Sequence, residues 1–243
     1  MLAGHFATAL VARQRTTARR FSGTLLGWYL VISQVPDLLW LSFHYLGLEP
    51  TQPGDLFDVT LQTLSVDMVF SHDLVPIVGW AMLFGVLGAV VFKDQRVGLA
   101  SVVLIGLHAL TDYLGGYPHH VLGPETASVG TGLYLTAPFA GVALEAVYTV
   151  GFVGWFLVEE RRRGTVRSAG NRRALVGLFV FNILFMASIA TTSMREWFGL
   201  PEVALPFETT VPTLAVTYLS MGAFFWWVVR ADRASSLSAL PRP

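Results

Sequence analysis

His108 and Asp112 stand four residues apart in an apolar stretch, so on a helix they share one face about one turn apart. An imidazole and a carboxylate in this arrangement can bind one metal ion together. From spacing alone, the alternative is a histidine–aspartate hydrogen bond that fixes two helices. Two glycines and Pro118 follow closely, which predicts that the helix ends just beyond Asp112.

Further imidazole and carboxylate groups interrupt other apolar segments, where an aspartate at the bilayer centre costs about 2.5 to 3.5 kcal/mol. Together with His108 and Asp112 they make five groups. Four of the five lie about 18 to 26 Å above the nearest basic turns, counted at about 1.5 Å per helical residue. The fifth, His72, lies at the outer end of its segment. The heights of His5 and Asp37 assume that the N-terminal stretch forms a helical hairpin. We predict one shared layer of potential ligands, namely His5, Asp37, His72, His108 and Asp112.

This donor set suits a divalent metal, zinc first and manganese as the alternative. The 243 residues include no cysteine, which excludes thiolate metal sites, disulfides and cysteine nucleophiles. A divalent metal lowers the pKa of its bound water toward about 7 and polarises a carbonyl or phosphoryl oxygen. Hydrolysis requires only these two effects of the metal. The sequence carries no dinucleotide-binding, Walker or nucleophile-elbow motif.

The elements that position these residues are predicted from the distribution of charge. Only 13% of the residues are charged and 53% are hydrophobic, whereas a soluble domain carries about 25% charge. We predict an all-α, polytopic transmembrane bundle with an additional N-terminal hairpin helix. Six segments are long enough for the roughly 20 residues that cross a bilayer, namely 21–48, 74–92, 97–124, 126–158, 174–194 and 209–229.

Fourteen of the sixteen Lys and Arg residues lie in short connections that alternate with acidic, proline- and glycine-rich ones, and Arg242 near the C-terminus lies on the same side. The positive-inside rule makes the basic connections cytoplasmic, so we predict a cytoplasmic C-terminus and a ligand layer near the outer face. The net charge of zero leaves no basic surface for nucleic acid. We predict one integral-membrane domain over 1–243, with the metal site in 1–125, three further spans in 126–233 and a flexible cytoplasmic tail from 234.

In residues 1–125 the chain resembles the bacterial membrane-bound metal-dependent hydrolase family, which is distantly similar to zinc-dependent phospholipase C. The ordered motifs that carry the resemblance are Gly4-His5-Phe6, Pro36-Asp37-Leu38-Leu39, Ser71-His72-Asp73, and His108 to Asp112 followed by Tyr113-Leu114. The resemblance implies a multi-pass protein of the bacterial inner membrane that hydrolyses a lipid or another amphiphilic phosphoester.

The chain departs from the family pattern at two places. Leu39 replaces the second aspartate of Pro-Asp-x-Asp, and Met68, Val69 and Phe70 stand near the place of a His-Arg-Gly element. The number of metal ions therefore stays open: either one or two ions replace a fuller cluster, or Asp73 compensates for the loss. His119, which follows the His-x-x-x-Asp helix as a further histidine does in that phospholipase, is either a ligand or a solvated loop residue.

Three other residues are candidates for catalysis or substrate binding. Asp73 or Glu145 would accept a proton from the attacking water. For Glu145 the favoured alternative is a protonated carboxyl that is hydrogen-bonded between helices. Arg195, the one cation on the side opposite the basic connections, either clamps a substrate phosphate or pairs with Glu196. Asn182 is predicted to form a hydrogen bond between helices.

Two other function classes use the same residues. A proton- or cation-coupled transporter would employ Asp37, His108, Asp112 and Glu145 as a relay, and broken helices or paired repeats would favour it. The sequence indicates neither feature. The third class is a metal-binding scaffold without activity, which the replacement at Leu39 favours. The sequence leaves the oligomeric state open.

Overall fold

The computed structural model describes residues 2–16, 22–203 and 206–238. It is 69% helical, which confirms the all-α class. In chain order the helices are α1 (Leu2–Arg15), α2 (Ser22–Ile32), α3 (Val35–Tyr45), α4 (Leu74–Phe92), α5 (Gln95–Gly115), α6 (Leu133–Thr136), α7 (Pro138–Arg162), α8 (Ala169–Ser188), α9 (Met194–Phe198) and α10 (Thr210–Ser238).

Two short antiparallel hairpins and a 3₁₀ turn (Leu56–Asp58) lie in the connections at one end of the bundle. The first hairpin pairs β1 (Thr51–Gln52) with β2 (Ser65–Val66), and the second pairs β3 (His119–His120) with β4 (Ser128–Val129). We call this end, formed by residues 46–73, 116–137 and 189–203, the loop end. The opposite end, formed by residues 93–96 and 161–173, is the arginine end.

Among the described residues, four helices are long and apolar enough to cross a membrane, namely α4, α5, α7 and α10. The count becomes five if α2 and α3 form one bent span, so the predicted six spans are not confirmed. The predicted span 174–194 corresponds to α8, which begins at Ala169 and carries Arg172 and Arg173 in its first turns. It ends at Ser188, which leaves a shorter uncharged helix than the sequence indicated.

The predicted span 21–48 is a broken helix, which corrects the expectation that the chain has none. Helices α2 and α3 meet at an angle of 61° around Ser33 and Gln34. Pro36 lies in the first turn of α3 and has no N–H to donate to the carbonyl four residues earlier. The N–H of Gln34 instead donates to Val31 at 2.9 Å, a tighter turn that ends α2.

Helix α1 occupies the interior of the bundle, in contact with α2, α5, α7, α8 and α10. Residues 3–11 are buried all around the helix, with Ala3, Ala7, Ala9 and Leu10 fully inaccessible. With 14 residues, α1 is about 21 Å long and does not cross a bilayer by itself. Surrounding helices therefore position its side chains, including His5.

Helices α4 and α5 form an antiparallel pair whose backbones approach closely at Gly85 and Gly98. A Cβ atom on Gly98 would lie 2.5 Å from the carbonyl oxygen of Gly85, closer than packed atoms come. Such small residues are the usual means by which membrane helices approach each other. The tight pairing fixes α5, which carries His108 and Asp112.

Several predictions fall on residues that the structure does not describe. Arg19 and Arg20, the predicted cytoplasmic end of the N-terminal hairpin, lie outside the described residues, as do positions 239–243 of the predicted tail. Helix α10 continues to Ser238. The orientation of the bundle and the cytoplasmic position of its C-terminus stay predictions.

Candidate metal centre

Four side chains converge at the loop end of the bundle: Asp37 of α3, His72 just before α4, and His108 and Asp112 of α5. One potential ligand atom of each lies within 4.8 Å of the others, and all four residues are buried. The Nε2 atoms of His72 and His108 are 3.4 Å apart. Nε2 of His108 lies 3.1 Å from Asp112 Oδ2 and 3.7 Å from Asp37 Oδ2.

These separations suit a shared metal ion. Nε2 of His72 lies 3.4 Å from Asp37 Oδ1 and 3.6 Å from Asp112 Oδ2. The cluster distances thus run from 3.1 to 3.7 Å, mostly longer than good hydrogen bonds between these groups. Ligands at about 2.0 to 2.2 Å from a tetrahedral zinc ion lie about 3.3 to 3.6 Å from one another. The four residues can therefore hold a metal ion.

The break between α2 and α3 sets both the position of Asp37 and the orientation of His108. Asp37 lies in the first turn of α3, directly after the break. The carbonyl oxygen of Ser33, within the break, accepts a hydrogen bond of 2.8 Å from Nδ1 of His108. Because a carbonyl only accepts, Nδ1 carries the proton and Nε2 presents its lone pair to the cluster.

His72 is held by a loop that a buried glutamate organises. Glu49 accepts hydrogen bonds from the backbone N–H groups of Phe70 and Ser71, at 2.6 and 2.8 Å. Burial raises the pKa of Glu49 above its usual range, against the lowering effect of these bonds. Ser71 Oγ lies 2.8 Å from Nδ1 of His72, and Tyr113 donates to the His72 carbonyl at 2.7 Å. The ring of His72 is thereby oriented with Nε2 toward the cluster.

His5 lies against this cluster but in a separate position. Its ring stacks on that of His108 with centroids 3.7 Å apart, and its Nε2 is 3.4 Å from Asp112 Oδ1. Gly4 makes the approach possible, because a Cβ atom there would lie 2.9 Å from the ring of Tyr148 on α7. The structure thus places His5 beside Oδ1 of Asp112, while Oδ2 of Asp112 faces His72 and His108.

Within the group of His5, Asp37, His72, His108 and Asp112, two buried side-chain atoms have no hydrogen-bond partner among the described residues, Nε2 of His5 and Oδ2 of Asp37. An unsatisfied buried polar atom costs about 1 to 3 kcal/mol. Both atoms belong to metal-ligand types, and both face the cluster within 4 Å of another potential ligand. Coordination of a cation would satisfy them.

A cavity of about 300 Å³ adjoins the cluster and extends between α8 and α10. Asp37, His72 and Asp112 lie in its wall at one end, and most of the remaining wall is aliphatic or aromatic. Phe181 of α8 lines the cavity although 64% of its surface is exposed, so the cavity reaches the outer surface of the bundle there. We call this cavity the chamber.

Further polar residues line the chamber, namely Tyr117, His119, Tyr134, Asn182, Thr210, Thr213, Thr217 and Tyr218. The ring of His119 stacks on that of His72 with centroids 5.3 Å apart, and burial lowers its pKa to about 3. His119 is therefore a neutral ring beside the cluster. The predicted bond of Asn182 to another helix is wrong for Oδ1, which is buried without a partner among the described residues.

The two proposed proton acceptors make different hydrogen bonds. Both oxygens of Asp73 accept backbone hydrogen bonds, from His120 at 2.8 Å and from Gly123 at 2.6 Å. Asp73 thus fixes the loop that carries β3. Glu145 is fully buried on α7 and accepts a hydrogen bond of 3.0 Å from the hydroxyl of Tyr134, a residue of the chamber wall.

Arg195 does not line the chamber, although its neighbour Met194 does, and it pairs with two aspartates of the loop end. Its guanidinium contacts Asp58 and lies 2.6 Å from Asp55 Oδ2. The predicted pairing with Glu196 is wrong, because Glu196 accepts from the backbone N–H of Ser193 in a capping box. The structure thus pairs Arg195 with carboxylates of the loop end, and its role as a phosphate clamp stays a prediction.

Comparisons of the chain with family models, with curated proteins and with solved structures give no match. The resemblance noted in residues 1–125 therefore stays a prediction.

Sequence reasoning missed the residues that orient the cluster. The Ser33 carbonyl is a backbone group, and no side-chain pattern indicates it. Glu49 stands at the start of an acidic connection, and nothing in its spacing distinguishes it from a solvated glutamate. Tyr134 and Tyr218 are single tyrosines, which apolar segments commonly contain near their ends.

Proposed function

We propose that the protein is a membrane-embedded, metal-dependent hydrolase that acts on a lipid or another amphiphilic ester. Phosphoesters are the favoured class of substrate. The observation that carries the proposal is the buried cluster of Asp37, His72, His108 and Asp112 at one end of an apolar chamber. A divalent metal bound there would supply an acidified water and a Lewis acid. Zinc fits the donor set and the distances, and manganese is the alternative.

The relation of the cluster to the chamber favours a catalytic over a purely structural site. Structural zinc sites are closed, whereas catalytic sites keep a position open toward the substrate. Here Asp37, His72 and Asp112 form part of the chamber wall, while the ring of His108 lies behind them under His5. A ligand in the chamber thus reaches the cluster from one side only.

The shape of the chamber supports an amphiphilic substrate. Its wall is mostly apolar, with Leu178 and Phe181 from α8 facing Leu214 and Met221 from α10. Both helices present exposed apolar residues outward, so a molecule dissolved in the membrane meets the opening at Phe181. An acyl chain fits this passage while its polar head lies at the cluster.

The hydrogen bonds of Asp73 and Glu145 support different roles for these two acidic residues. Asp73 binds two backbone N–H groups and holds the loop of His119 in place. Glu145 reaches the chamber through the hydroxyl of Tyr134, so it can take a proton that leaves the chamber. In this proposal Glu145 accepts the proton, and Asp73 is a positioning residue.

Turnover of chromogenic lipid esters and phosphoesters by the purified protein in detergent tests this function. We expect hydrolysis that a chelator abolishes, that zinc or manganese restores, and that Asp37→Asn removes. Asp94→Asn, at the N-cap of α5 on the arginine end, is the matched control and keeps the activity. Bound metal without turnover of any ester class would contradict the enzyme and favour the scaffold.

A second candidate, a proton- or cation-coupled transporter, gains support from the broken helix between α2 and α3. Ion sites of transporters commonly lie at such breaks. Asp37 follows this break directly, and the Ser33 carbonyl lies within it. Flux into liposomes that depends on Asp37 and needs no ester substrate would favour the transporter. Metal-dependent hydrolysis without flux would exclude it.

A further inference from the structure

The turn between α7 and α8, at the arginine end, encloses a second cavity of about 480 Å³. Its floor is the apolar surface of α7, at Gly154, Leu157 and Val158. Its rim carries Arg161 from the last turn of α7 and Arg172 from the first turns of α8. We call this cavity the rim pocket. It is separate from the chamber.

The charge of the rim pocket is positive after its internal ion pair is counted. Arg167 binds both oxygens of Glu160, at 2.5 and 2.7 Å, with the two side chains only 5% and 10% exposed. Three arginines and one glutamate line the pocket, so its net charge is +2. The excess lies on Arg161 and Arg172, which are both exposed.

The floor of the rim pocket has the character of a surface that faces acyl chains. Val158 is 51% exposed, and a Cβ atom added to Gly154 would meet open space. Val166, in the turn above, is 79% exposed. Positive charge and exposed apolar surface thus meet at the end of a helix that is long enough to cross a membrane.

We propose that the rim pocket binds an anionic phospholipid, with the headgroup phosphate between Arg161 and Arg172 and an acyl chain along Gly154 and Val158. Guanidinium groups bind phosphate through paired hydrogen bonds. Basic pockets between membrane helices are known sites for anionic headgroups. The site does not depend on the proposed function, because no residue of the metal cluster lines it.

A lipid explains the pocket better than free phosphate does. Inorganic phosphate needs only the two arginines, whereas the apolar floor continues along α7 away from the charge. A phospholipid covers both parts at once. It also buries apolar surface that a headgroup alone leaves exposed.

Native mass spectrometry of the full chain, released from nanodiscs of equal phosphatidylglycerol and phosphatidylcholine, tests the charge of the site. We expect preferential retention of phosphatidylglycerol, weakened about five-fold for each of Arg161→Gln and Arg172→Gln. The matched control is Arg173→Gln, which removes an exposed charge next to the pocket wall and keeps the preference. Displacement by excess inorganic phosphate would point to a phosphate site and overturn the lipid.

A change of shape without a change of charge tests the floor. Gly154→Leu fills the open space along the floor, so we expect it to lower lipid retention about as much as one arginine substitution does. Gly151→Leu is the matched control, since Gly151 also faces open space on α7 but does not line the pocket. Equal retention of both lipids by the unmodified chain, or equal losses in a variant and its control, would overturn the site.

Discussion

The two ends of the bundle both bury acidic side chains, but they satisfy them differently. At the arginine end, Glu160 meets the guanidinium of Arg167 at 2.5 and 2.7 Å, and Arg167 also donates to Asn171 at 2.7 Å. At the loop end, Asp37 and Asp112 face imidazole nitrogens at 3.1 to 3.7 Å. Oδ2 of Asp37 has no hydrogen-bond partner among the described residues.

The difference separates a group that is complete from one that needs a ligand. A buried carboxylate is stable when short hydrogen bonds from a cation compensate its lost hydration. The pair of Glu160 and Arg167 meets that condition. The cluster around Asp37 and Asp112 has the spacing of metal ligands instead, so we expect its stability to depend on a bound cation.

The largest effect is expected from breaking the complete pair. Arg167→Met leaves the carboxylate of Glu160 buried without its partner, which costs about 3 to 5 kcal/mol of unfolding free energy. Thermal unfolding in detergent measures the loss, and metal content measured on the same sample stays unchanged. The double variant with Glu160→Leu should recover most of the stability, since no buried charge is left. A matching loss of metal would show that the two ends are not independent.

The next effect concerns the metal. At a concentration about a hundred times the dissociation constant, zinc should stabilise the metal-free protein by about 2.7 kcal/mol, a rise of roughly 5 to 10 °C in Tm. Asp37→Asn removes one ligand and should abolish this rise. Ser42→Ala, on an exposed face of α3, is the control and keeps it. A rise of equal size in Asp37→Asn would exclude Asp37 as a ligand.

A smaller effect is expected from the group that orients His72. Ser71→Ala removes the contact of 2.8 Å to Nδ1 of His72 and should weaken metal affinity about 10- to 100-fold. Competition with a chromogenic chelator measures the affinity. Ser188→Ala, whose hydroxyl bonds only a nearby carbonyl of α8 in an exposed position, should leave it unchanged. Unaltered metal affinity in Ser71→Ala would contradict a role of Ser71 in orienting His72.

The smallest expected effect is the change in unfolding free energy on substitution of Asn182, and its sign decides the role of this residue. In the metal-free protein without substrate, Asn182→Leu removes a buried oxygen that has no partner among the described residues, which should stabilise the fold by about 1 kcal/mol. The same variant should bind an amphiphile in the chamber more weakly if that ligand hydrogen-bonds the amide. If Asn182 instead joined two helices, as its position in the sequence suggests, the variant would lose stability in the unfolding measurement.

The sequence was informative about the cluster because depth along a helix follows directly from residue count. His108 and Asp112 are four residues apart, so they share a face wherever the helix begins. Heights counted from the basic turns predicted that His5 and Asp37 lie at the same depth. Pro36 marks the break in the sequence, but the span was predicted from charge and hydropathy, which do not distinguish a bent span from a straight one. The chamber depends on the separation of α8 and α10, which packing alone sets.

Elemental analysis of the gently purified protein tests the central claim most directly. We predict about one equivalent of zinc or manganese per chain, retained in Arg167→Met and lost in His108→Ala. The comparison uses the two ends of one molecule as site and control. Less than about 0.2 equivalents of any transition metal in the unmodified protein, unchanged by His108→Ala, would contradict a metal centre at the loop end.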